Sequence, residues 1–171
     1  YKENYKGAKN LLKKYEFNDD LLSQIYAQLG EYKEAYALAE QLYELTDNKD
    51  YKAKMAIYKY EFSKTKNIEQ IIKLFEESVY ELDNSVYYNY YGYILIDHDI
   101  NIYKGLELVL KAYELNSKSP YIIDSVAWGY YKLKRCDEAM EWIDKITPEY
   151  LEQKEFKAHY NKIKKCIKEK R

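Results

Sequence analysis

Hydrophobic residues return every three or four positions along this chain, the spacing that lines up one face of an α-helix. Near the C-terminus Phe156, Tyr160, Ile163 and Ile167 follow at intervals of 4, 3 and 4, with lysines between them. Only 5 glycines and 2 prolines are spread over 171 residues, too few to turn an all-β chain. The pattern predicts an all-α protein. With 47% hydrophobic residues it can bury a continuous core without a metal or disulfide staple.

The helical stretches come in pairs, and the pairs repeat. When "LGEYKEAYALAEQLYEL" (29–45), "TKNIEQIIKLFEESVYE" (65–81), "INIYKGLELVLKAYEL" (100–115) and "LKRCDEAMEWIDKIT" (133–147) are aligned, Ala35, Ile71, Gly105 and Ala139 fall in register, separated by 36, 34 and 34 residues. A period near 34 with two helices per unit marks a stacked helix-turn-helix array, in which no hairpin can bury both faces alone. Gly92 and Ala127 on first helices, and Gly105 and Ala139 on second helices, leave room for backbones to approach, with Tyr91, Leu95, Val126 and Tyr130 as ridges beside them.

Residues 21–45, with Leu22-Ser23, Tyr26, Gly30, Tyr32-Lys33-Glu34-Ala35 and Leu45, and residues 86–146, resemble the tetratricopeptide repeat family as it occurs in bacterial proteins. The resemblance implies a right-handed superhelical solenoid of antiparallel helix pairs. It places a partial repeat over 1–17, repeats over 18–48, 84–117 and 118–147, a degenerate repeat over 49–83 and a capping helix over 148–171, all in one array over 1–171. In the degenerate unit Ile71 stands where the family has a small residue.

Net charge is −1, from 28 basic and 29 acidic residues, so no global field draws the chain to nucleic acid or anionic lipid. Arginine occurs only at 135 and 171, which removes most of the bidentate forks that phosphate and base recognition use. No apolar run approaches the roughly 20 residues of a membrane span. No phosphate loop, zinc-spaced Cys/His set or nucleophile motif is present, and His98 and His159 stand far apart in sequence. The expected chain is not an enzyme, holds no cofactor or metal, and neither binds nucleic acid nor inserts into a membrane. The opening segment reads as the second helix of an incomplete hairpin, hence as part of a longer protein, in a bacterial cytoplasm or periplasm.

The resemblance also implies a concave groove for a peptide or a helix of another protein. With Ala139 at the small site of its second helix, Trp128, directly after Ala127, faces that groove. Tyr121, Asp124, Tyr131 and Lys132 line it too, joined from the preceding unit by Asn89 and Tyr93. Trp142 is expected against the cap. Equivalent first-helix sites carry Asp20, Asn89 and Asp124, which disfavours a carboxylate-clamping mode and favours an apolar or Lys/Arg-bearing ligand. The expected function is a non-catalytic protein- or peptide-binding scaffold. The alternatives are a structural spacer or self-association module, or an accessory domain of a larger enzyme or envelope protein.

The lysine-rich end, Lys164, Lys165, Lys168, Lys170 and Arg171, suits the C-terminal end of a helix dipole, with an anionic surface as the other option. A cap helix running unbroken from Pro148 would set Cys136 and Cys166 about 9 Å apart along the axis, beyond the ~7 Å that a disulfide tolerates. Two free thiols are expected.

Overall fold

The computed structural model describes residues 2–15 and 19–169. Positions 1 and 16–18, which fall at the ends of the expected partial repeat or just after it, and Lys170 and Arg171 of the basic end lie outside the described residues. The chain divides into two compact units, Tyr1–Asp83 and Asn84–Arg171.

The first unit packs each helix on the next: α1 (Lys2–Tyr15), α2 (Asp19–Leu29), α3 (Tyr32–Thr46), α4 (Lys49–Ser63) and the short α5 (Ile68–Glu76). Its core joins Leu22 and Tyr26 of α2 to Ala35 and Ala39 of α3 and to Met55 and Tyr58 of α4. Ile71 and Phe75 of α5 are fully buried.

The second unit holds α6 (Ser85–Asp97), α7 (Ile102–Leu115), α8 (Pro120–Lys132), α9 (Cys136–Ile143), the single turn α10 (Pro148–Leu151) and α11 (Lys154–Glu169). Local chemistry starts these helices. Asn84 Oδ1 accepts from the Val86 N–H at 2.9 Å and Asn101 Oδ1 from the Lys104 N–H at 3.0 Å, capping α6 and α7. Pro120 and Pro148 take the first helical positions of α8 and α10, where no N–H is needed.

The hairpins close through one motif. After α2, Gly30 N–H bonds to Ala27 O and Glu31 N–H to Tyr26 O; after α8, Lys134 N–H bonds to Tyr131 O and Arg135 N–H to Tyr130 O. This pair of bonds satisfies carbonyls at the helix end and requires a left-handed residue, Gly30 at φ 80° and Lys134 at φ 61°. Glycine takes that conformation without cost, whereas a side chain meets the following carbonyl. Lys134→Gly is therefore expected to raise stability by up to about 1 kcal/mol in denaturant titrations, and Gly30→Ala to lower it by a similar amount. No change at either position would show that the turns are not strained.

Small residues at the repeat register let α6 and α7 touch through their backbones. A Cβ placed on Gly92 would lie 2.7 Å from Gly105 O, and one on Gly105 would lie 2.7 Å from Gly92 O. Ala127 of α8 and Ala139 of α9 are fully buried and share one core with Ile143, Phe156 and Ile163.

The free-thiol expectation is overturned: Cys136 and Cys166 form a disulfide, with Cα atoms 5.8 Å apart. The reason is a break in the cap. Its long helix starts at Lys154, not at Pro148, because α10 ends after one turn. The 6 residues removed from the run shorten it by about 9 Å, which is the offset that a continuous helix would have had.

Candidate functional site

The candidate site lies on the first-helix side of the second unit, where α6, α8 and α11 each contribute one register position: Asn89, Asp124 and His159, spaced 35 and 35 residues apart. The cap helix thus occupies the place of a further first helix. Phe156 and Ile163, 1% and 0% exposed, hold it down, and His159, between them on the same face, reaches α8.

His159 Nδ1 is hydrogen-bonded to Asp124 Oδ2 at 2.7 Å. Its ring stacks on Trp128 at 4.0 Å between centroids and lies 6.4 Å from Tyr93. Tyr131, one turn along α8, also stacks on Trp128, at 4.7 Å. Trp128 Nε1–H donates to Asp97 Oδ1 at 3.0 Å, tying α8 to the end of α6. Lys132 Nζ reinforces that tie, donating to Asp97 O at 3.2 Å and to Asp99 Oδ2 at 2.7 Å. Lys162 Nζ sits 4.8 Å from the centre of the Trp128 ring, a cation–π distance.

The structure therefore gathers Tyr93, Asp124, Trp128, Tyr131 and Lys132 around His159. Asn89 lies one turn before Tyr93 on α6, half-buried, and its Oδ1 has no hydrogen-bond partner. Tyr121 stands apart from the stack, 54% exposed, with its ring 5.3 Å from Phe156.

One expectation is corrected here. Trp128 does not open onto a groove: it is 4% exposed, covered by His159 and Tyr131. Trp142 packs against the core that includes Phe156 and Ile163 of the cap, with its ring 4.7 Å from that of Tyr113 of α7 and 6.5 Å from that of Tyr130 of α8.

His159 is the member that sequence reasoning passed over. The signal was present, since His159 follows Asp124 by the same 35 residues that separate Asp124 from Asn89. In the first unit the same register carries Asp20 and Lys54. There Lys54 Nζ lies 2.8 Å from both Asp20 and Asp50. Burial pulls the Lys54 ammonium down, but hydrogen bonds to the two aspartates hold it above the usual lysine range.

Burial pushes the Asp124 carboxyl up, against the opposing pull of the His159 hydrogen bond and charge. Its Oδ1 has no partner, which adds to the cost of ionising it. The folded chain thus holds this proton to higher pH than the unfolded chain does. The stability that it contributes is complete below the ordinary aspartate range and is lost as pH rises through the raised value. Relative to wild type, Asp124→Asn should therefore gain ground as pH climbs upward from the ordinary aspartate range. Melting temperatures of both across that window provide the check, and parallel curves would remove the raised carboxyl from the account.

Among the described residues no group of three or more His, Cys, Asp or Glu is placed to hold a metal ion. None of their helices is long and apolar enough to cross a membrane.

No family model matches the sequence. A curated protein, a TPR repeat-containing protein of Pseudomonas aeruginosa, is 33% identical over 70 residues, 41% of this chain and 12% of that protein's length. Among solved structures, a thermophilic TPR protein of Thermus thermophilus superposes with a TM-score of 0.70 at 15% identity, covering 93% of this chain and 90% of that one. A structure of MamA does so with 0.64 at 18% identity, covering 93% and 87%. Their helix pairs match the all-α arrangement described above. The chain resembles bacterial tetratricopeptide repeat proteins in sequence, and it has their fold.

Proposed function

We propose that this chain is a non-catalytic scaffold that binds a protein or peptide along the first-helix face of its second unit. The observation that carries the reading is the concentration of aromatic and charged side chains at equivalent first-helix positions, Asn89 and Tyr93, Asp124 and Trp128, then His159, spaced by the repeat. Large aromatic surfaces with a few polar groups favour protein contacts, since they give area at low rotamer cost.

The burial of Trp128 changes its part in this reading. It forms the wall, while Tyr121, Tyr131 and the Lys132–Asp99 pair offer the contact surface.

Photo-crosslinkers at Tyr121 and Tyr131, compared with one at the second-helix residue Tyr103, test this in cells. Crosslinks to one protein from the first two positions, and weaker binding of that protein by Tyr131→Ala, are expected. Crosslinks to a second copy of this chain would move the reading to self-association. Crosslinks from Tyr103 alone would remove the first-helix face from consideration.

A further inference from the structure

α11 is attached to the second unit at two chemically distinct points seven residues apart. One is His159, on Asp124 and Trp128; the other is Cys166, bonded to Cys136 at the start of α9. Apart from these, few of its side chains are fully buried: Phe156 and Ile163 are buried, and most of the rest of the helix is exposed or half-exposed. The helix is preceded by the single turn α10, so the segment from Thr147 to Gln153 can act as its hinge. While α11 is down, it covers the Trp128 ring and one oxygen of Asp124.

We propose that the Cys136–Cys166 disulfide is a redox latch, which keeps α11 over the first-helix face of the second unit until a dithiol reduces it and lets the helix leave Trp128 and Asp124. As regulation of partner access, this rests on the reading of that face as a binding surface; the latch itself is read without any partner.

The exchange has a defined direction. Cys136 is 1% exposed and Cys166 is half-buried, so a thiolate of the incoming dithiol attacks Cys166 Sγ. The S–S bond to Cys136 breaks as a mixed disulfide forms at Cys166, and Cys136 departs as a thiolate. It leaves from the first residue of α9, where the helix N-terminus favours negative charge. The second sulfur of the dithiol then displaces Cys166. Both cysteines end as thiols after taking up protons, two electrons have passed to the protein, and the dithiol has become a cyclic disulfide.

A bond closing a 30-residue loop restricts the released segment strongly. Hydrogen exchange of the full chain, followed by mass spectrometry with and without dithiothreitol, reads the effect. Peptides from 154–169 are expected to exchange about tenfold faster or more once reduced, and equally fast in Cys166→Ser without reductant. Peptides from α6 and α7 should stay unchanged. A smaller acceleration in α11, or equal acceleration in α6 and α7, overturns the latch, as does recovery of both cysteines as free thiols from the air-oxidised chain. Failure of the crosslinks from Tyr121 and Tyr131 would leave these outcomes untouched, so the two readings fail separately.

Discussion

Trp128→Ala is expected to lower the stability of the second unit by about 3–5 kcal/mol, the usual cost of deleting a buried tryptophan. The ring is 4% exposed and packs in one core with Ile96, Leu106, Val109 and Val126. Its removal also leaves Asp97 without the indole N–H and His159 without its stacking partner. Trp128→Phe separates these contributions, since it keeps most of the packing and loses the hydrogen bond, worth about 0.5–1.5 kcal/mol. Urea denaturation of the two variants against wild type checks both figures. A loss below about 1 kcal/mol for Trp128→Ala, with a clear loss of partner binding, would show that Trp128 anchors the ligand instead.

Gly105→Ala should destabilise by about 1–3 kcal/mol, although the substitution alone favours a helix by close to 1 kcal/mol. Packing decides the sign. The added methyl would come within 2.7 Å of Gly92 O and 3.2 Å of Ile96 N, both backbone atoms that cannot rotate away. Gly7→Ala on α1 is the control, because nothing lies within 4 Å of the new methyl there. That variant should be neutral or more stable. If both variants move the same way in thermal unfolding, the close approach of α6 and α7 does not limit stability.

The helix pairs and their small-residue contacts were legible before any coordinates. Periodicity at 3.6 residues is a property of each segment by itself, and the recurrence of Ala35, Gly105 and Ala139 exposes the inter-helix contact because only small side chains permit it. The same register, carried one step further, reaches His159. It is easily passed over because a single histidine on a lysine-rich helix has no local pattern to mark it.

What the sequence by itself determined, then, is the all-α repeat with its turns and the positions facing the first-helix side. Each of these depends on local propensity or on spacing along the chain. The burial of Trp128, the Asp124–His159 pair and the Cys136–Cys166 bond were decided only by tertiary structure. All three depend on where α11 begins, and moving the start of the long helix from Pro148 to Lys154, six residues on, moves every later side chain about 9 Å along the axis. No local rule in the stretch "TPEYLEQKEF" marks that break, since its residues are compatible with one continuous helix. Docking of Phe156 and Ile163 into the core formed by α8 and α9 chooses the register, because burying those two side chains outweighs the turn of helix lost.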